Sequence, residues 1–115
     1  MKKKYYFMSG LPRSGNTLLA CILNQNPDLH VSSNSLVSYL SYQLNFVIPQ
    51  REEYISFPKP EFIPKLINSV FDNYYDDVQK HHIIDRSGSW GNLSNIQIVQ
   101  KYITQDIKII CPVRN

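Results

Sequence analysis

Apolar residues fall along the chain in blocks whose period alternates between that of a strand and that of a helix. Lys4 to Met8 is aromatic and apolar on both faces, as in a buried parallel strand. The run from Leu18 to Leu23 predicts a helix over about residues 15–25. It is apolar nearly all round, which predicts deep burial, and Pro27 stops it by pushing the preceding residue out of helical dihedrals. Leu29 to Ser32 is short and extended. Leu36, Leu40 and Leu44 recur at fourfold spacing, with Val37 and Val47 beside them, and predict a second helix with one apolar face, capped by Ser33 or Asn34. Pro49, Pro58 and Pro60 bracket an irregular connector that exposes Arg51-Glu52-Glu53. Phe62, Ile63, Leu66, Ile67, Val70, Phe71, Tyr74 and Val78 mark a third helix, with Pro64 confined to its first turn. His82 to Asp85 reads as a second central strand. Leu93, Ile96, Val99 and Ile103 mark a fourth helix capped by Asn92 or Ser94. Lys108 to Val113 reads as a third strand, with Pro112 at its end because proline cannot donate to a ladder.

Strands alternating with helices predict an α/β fold with a parallel sheet and right-handed crossovers. Ligands of such sheets bind outside the carboxyl ends of the strands. Three polar segments fall there: Gly10 to Thr17, Asp85 to Trp90, and the turn beginning at Arg114. The first has the spacing Gly10-x4-Gly15-x-Thr17 between a strand and a helix, the pattern of a phosphate-binding P-loop. Its backbone N–H groups and helix dipole favour an anion. Asn16 stands where nucleotide hydrolases carry lysine, and the positive charge sits inside the turn, at Arg13. A planar guanidinium there offers a fork of donors to phosphate oxygens.

Composition bounds these readings. With 115 residues, 43% hydrophobic and 18% charged, the chain has the makeup of a globular domain and length for one at most. Its last residues read as a strand entering a loop, so residues 1–115 are expected to be the N-terminal part of a single domain whose sheet is incomplete. The net charge of +3 suits an anionic small molecule and gives no ground for a nucleic-acid partner. No apolar run has the length of a signal peptide core or a membrane span. Cys21 and Cys111 are too few for a disulfide framework or a metal motif, which makes reduced thiols and a cytoplasmic location the expectation.

The residues also resemble a known family. Phe7-Met8-Ser9-Gly10-Leu11-Pro12-Arg13-Ser14-Gly15-Asn16-Thr17-Leu18-Leu19, followed by Leu23-Asn24-Gln25-Asn26-Pro27-Asp28, is similar to the 5′-phosphosulfate loop and first helix of sulfotransferases. The branch with Pro-Arg-Ser-Gly-x-Thr, which includes tyrosylprotein sulfotransferases and bacterial and phage relatives, is most alike. Ile84-Asp85-Arg86-Ser87-Gly88-Ser89-Trp90 resembles that branch's Asp-Lys/Arg strand end. Lys108 to Arg114 resembles the strand leading to its 3′-phosphate site. The resemblance implies a P-loop NTPase-like three-layer fold and 3′-phosphoadenosine-5′-phosphosulfate as co-substrate, with no metal. It implies transfer of a sulfuryl group to a hydroxyl or amine of a small-molecule or protein acceptor. Arg13, Ser14, Gly15, Asn16, Thr17 and Leu18 would hold the 5′-phosphate and sulfonate, and Arg114 the 3′-phosphate. Arg13 and Arg86 would be catalytic, stabilising charge as it develops. Where the tyrosine-sulfating branch has a catalytic Glu, this chain has Ser33, and a serine expected beyond Arg114 falls past Asn115.

Other side chains near the loops have two readings each. Asp85 is a base or orients Arg86 or a loop N–H, and Trp90 packs in the core or stacks on a substrate. His30 is the imidazole nearest the second loop, read first as an exposed turn residue. His81 and His82 lie at the far end of their strand and read as structural. Two alternatives compete with the transferase. One is a P-loop small-molecule kinase, which Asn16 argues against. The other is a truncated, non-catalytic remnant that binds an anion or a partner.

Overall fold

A computed structural model describes residues 3–9 and 16–111. Four strands, β1 (Lys4–Met8), β2 (Leu29–Asn34), β3 (His82–Arg86) and β4 (Ile109–Ile110), form a sheet of order β2-β3-β1-β4. Every pairing is parallel. Helix α1 (Asn16–Leu23) joins β1 to β2. Between β2 and β3 the chain forms α2 (Val37–Tyr42), a π turn (Gln43–Val47), a 3-10 turn (Ile48–Gln50), α3 (Glu52–Ser56) and α4 (Phe62–Tyr74). A 3-10 turn (Gly88–Gly91) and α5 (Leu93–Tyr102) lead from β3 to β4. The fold is α/β, as the alternating pattern predicts.

The strand order explains which face each helix takes. From β1 the chain steps across β3 to the outer edge. From β2 and from β3 it steps back the other way. Right-handed crossovers in opposite directions put α1 on one face and α2, α4 and α5 on the other. Alternation along the strands then divides the core. Met8, Val31 and Ile84 pack with Ala20 of α1, while Phe7 and Ile83 pack with Val37, Phe71, Tyr75, Trp90 and Val99. A third cluster of Ile63, Ile67 and Ile98 joins α4 to α5. The β2 edge of the sheet is covered by a side chain: Asn24, just past α1, donates from Nδ2 to the Val31 carbonyl (2.9 Å) and accepts the Val31 N–H at Oδ1 (2.7 Å). It stands in for a neighbouring strand.

Three expectations are corrected. Helix α1 is not buried all round: Ala20 is, but Leu18 is 68% and Ile22 53% exposed. Only one stripe of a helix can meet a sheet, so a helix laid on an outer face leaves its remaining side in the open. In α2 Val37 is buried as expected, but it shares the inward face with Ser38 and Ser41, while Leu36, Leu40 and Val47 are exposed and, of the leucines, Leu44 in the π turn reaches the third cluster. Ser38 takes this face because it abuts the 3-10 turn after β3, where Ser87 and Ser89 bond to its hydroxyl. The start of α2 is served by Ser35, whose Oγ accepts the Val37 N–H (3.2 Å), rather than by Ser33 or Asn34. Helix α4 keeps the predicted spacing at Ile63, Ile67 and Phe71, which are buried, with Pro64 in the first turn, but Phe62 and Tyr74 at its ends are exposed and Val78 lies past it. Asn92 caps α5 by accepting the Ser94 N–H (3.0 Å).

Candidate functional site at the carboxyl edge of the sheet

β1 and β3 are neighbours, and their continuations leave toward opposite faces. The carboxyl ends of such a pair flank the crevice in which α/β sheets bind ligands. The register places Met8 beside Arg86, and the Ser87 N–H donates to the Met8 carbonyl (3.0 Å). Asn16, Thr17 and Leu18 form the first turn of α1, whose leading N–H groups have no acceptor within the helix. By alternation with Ile84, Arg86 lies on the face that carries α1. The arginine and the helix start thus share one side of one edge. Arg13, Ser14 and Gly15, and at the other end Arg114, lie outside the described residues.

The last rung between β2 and β3 is irregular. Leu29, His30 and Val31 pair with His82, Ile83 and Ile84, but Asn34 pairs with Arg86, so Ser32 and Ser33 together oppose Asp85. At this bulge a side chain joins the ladder: the Arg86 N–H donates to Ser32 Oγ (2.9 Å). On its other side the Arg86 carbonyl accepts the Ser35 N–H (2.9 Å). The main chain of Arg86 is held from both ends, so the root of its side chain has a fixed direction.

Asp85 points to the opposite face and is fully buried. Its carboxylate accepts from Ser35 Oγ (2.6 Å), Trp90 Nε1 (2.7 Å) and the Tyr75 hydroxyl. Burial raises its pKa, and the donors from Ser35, Tyr75 and Trp90 oppose that rise. The Tyr75 phenol is pushed far up by burial and by the facing carboxylate, so it stays a donor. These contacts argue against Asp85 as a free base and against a direct pair with Arg86. It does not meet Arg86 through its carboxylate, because adjacent strand residues face opposite ways, and its oxygens are committed to three donors.

Trp90 is a core residue, 1% exposed, with its ring centroid 4.7 Å from that of Phe7. Beside it the same edge carries a ring of hydroxyls. Ser38 Oγ lies 3.0 Å from Ser87 Oγ and 2.6 Å from Ser89 Oγ, and the latter two are 2.8 Å apart. Ser9 Oγ donates to the Gly88 carbonyl (3.3 Å), and a Cβ on Gly91 would lie 3.2 Å from that Oγ, so a glycine lets the turn approach β1. His30 is not in a turn. It pairs with Ile83 inside β2, with its ring 6.0 Å from that of Tyr75. Burial, then Lys80, lowers its pKa, and Asp77 acts the other way, so the ring is neutral at pH 7. Ser33 is exposed within the bulge. His82 is at the opposite end of β3, with its Nδ1 3.1 Å from the Tyr6 hydroxyl.

Sequence reasoning missed Ser32, Ser35 and Tyr75. For Ser32 and Ser35 the only signal is the serine-rich end of β2, which carries no periodicity, whereas Tyr75 continues the fourfold spacing of Ile63, Ile67 and Phe71. Among the described residues no group of His, Cys, Asp and Glu is placed to hold a metal ion, and no helix is long and apolar enough to cross a membrane. No family model matches the chain, and no curated protein matches it.

Proposed function

We propose that the chain is a sulfotransferase, or the donor-binding part of one, that takes 3′-phosphoadenosine-5′-phosphosulfate as co-substrate. The observation that carries the reading is the placement of Arg86 beside Met8 on the α1 face, at the edge where the Gly10–Thr17 segment connects β1 to α1. On this reading that segment contributes Arg13 and the N–H groups of Gly15 to Leu18, and Arg86 is a second cation for the same donor. The acceptor oxygen or nitrogen forms a bond to sulfur while the bond from sulfur to the bridging oxygen breaks. Adenosine 3′,5′-bisphosphate leaves with the bonding pair, and the acceptor's proton passes to water. The protein's work in such a step is positioning and stabilisation of charge, as in phosphoryl transfer. Arg13 faces the charge that grows on the bridging oxygen, Arg86 the sulfonate oxygens, and Arg114 the 3′-phosphate. The cytoplasm, where the donor meets small-molecule and protein acceptors, is the proposed location.

Calorimetry with adenosine 3′,5′-bisphosphate tests the reading. Arg13→Ala should remove most of the affinity, and Arg114→Ala should weaken it by about tenfold or more, the loss of a charge-assisted phosphate contact. Equal affinity in wild type and both variants refutes the assignment. Protection from heat unfolding by ATP–Mg²⁺ but not by the bisphosphate favours a kinase instead.

A further inference from the structure

Asp85 is the one fully buried carboxylate among the described residues, and the chemistry above gives it no part. Its contacts lead to Arg86 by a short path. Ser35 lies just past the end of β2, where the pairing with β3 ends. Its hydroxyl donates to Asp85 Oδ2 at 2.6 Å, and its main-chain N–H donates to the Arg86 carbonyl at 2.9 Å. The same hydroxyl accepts the Val37 N–H at the start of α2. One serine therefore ties the buried carboxylate, the first turn of α2 and the backbone of Arg86 together. On the other side of the carboxylate, Trp90 Nε1 fixes the 3-10 turn that continues from Arg86. Asp85 thus reaches the chain on both sides of the arginine without touching its guanidinium.

We propose that Asp85 is a positioning residue for Arg86, acting through Ser35 and through the Trp90 turn. The physical reason is preorganisation. A donor aimed at an oxyanion is most effective when its direction is set before the ligand arrives, because no ordering cost then falls on binding. Arg86 pairs with β2 at the rung just past the bulge at Ser32–Ser33, where a side-chain oxygen accepts its N–H, and a carboxylate with three neutral donors is a strong anchor close by. The functional consequence rests on the donor-site reading of Arg86; the positioning itself does not.

Two measurements on the whole chain separate these. Amide hydrogen exchange is followed by NMR in wild type, Asp85→Asn and Ser35→Ala. The Ser35 and Arg86 amides should exchange about tenfold faster in both variants, with the Tyr6 and Ile84 amides within about threefold of wild type, as expected for local rather than global opening. Unchanged protection at Ser35 and Arg86, or an equal rise along all of β1 and β3, overturns the proposal. If Asp85→Asn does not fold, Ser35→Ala decides alone. The second measurement is affinity for adenosine 3′,5′-bisphosphate. Asp85→Asn should weaken it about tenfold when Arg86 is present and less than about twofold in an Arg86→Ala background, the signature of coupled residues. An equal loss in both backgrounds overturns action through Arg86. A wild type that does not bind the bisphosphate overturns the donor-site reading, and the exchange result still judges the positioning.

Discussion

Replacing Tyr75 by phenylalanine removes one oxygen from a ring that is 2% exposed and leaves its packing in place. That oxygen donates to Asp85, so the variant deprives a buried carboxylate of one of three donors. A hydrogen bond to a charged group contributes about 1.5–3 kcal/mol, and no cavity term is added because the ring remains. A loss of about 2 kcal/mol is expected. Unfolding entropy of about 2.1 cal/mol/K per residue over 115 residues totals about 240 cal/mol/K, so Tm should fall by about 8 °C. The midpoint in urea should fall by about 1 M for a slope of about 2 kcal/mol/M. The effect should also depend on pH. Because burial raises the folded pKa of Asp85 above its unfolded value, the native state holds its proton more tightly, and this group favours folding more as pH falls through its folded pKa. Once neutral, the carboxyl needs the phenol less. Tyr75 stays protonated across this range, since its own pKa is pushed up. The gap between wild type and Tyr75→Phe should therefore be widest near pH 8 and shrink toward acid. Denaturation in urea at several pH values measures it. A gap under about 0.5 kcal/mol at pH 8, the size of an ordinary surface substitution, refutes the reasoning.

Other substitutions probe the frame around the site. Asn24→Ala leaves the Val31 N–H and carbonyl at the sheet edge without their side-chain partner and should cost about 1–3 kcal/mol in chemical denaturation. Phe71→Ala opens the core between α4 and the sheet and should cost about 3–5 kcal/mol, enough to leave a partly unfolded baseline by circular dichroism. Ile22→Gln, on the open side of α1, should change stability by less than about 0.5 kcal/mol; a larger loss in a thermal melt would mean that this face is packed.

Much of the frame is legible in the sequence because it rests on local periodicity. β1 and β3 are runs apolar on both faces, and a strand between two others in a parallel sheet must be so. Helix α4 repeats its apolar residues at helical spacing because a single stripe meets the core. The inward face of α2 was hidden for the opposite reason. Ser38 is buried against the hydroxyls of Ser87 and Ser89, and hydrophobicity says nothing about a contact made by hydroxyls. The site divides the same way. Arg86 is readable as a charge at a strand end beside a glycine-containing loop. The choice of Asp85's role is not, because it depends on Ser35 and Tyr75, which lie 50 and 10 positions away in sequence. The sequence spacing near Val31 to Asn34 likewise shows no sign that two serines share one rung.

That shared rung has a consequence for how the edge can change over time. Within a regular ladder, inserting or deleting one residue inverts every side chain beyond it. At Ser32–Ser33 the ladder has already absorbed one extra residue, and the strand resumes at Asn34 on the α1 face, beside Arg86. The bulge therefore works as an expansion joint. The segment beyond it can be lengthened, shortened or reassigned without disturbing Val31 and the packed rungs below. Diversification of whatever the carboxyl edge recognises has its cheapest route there, leaving the sheet that carries it intact.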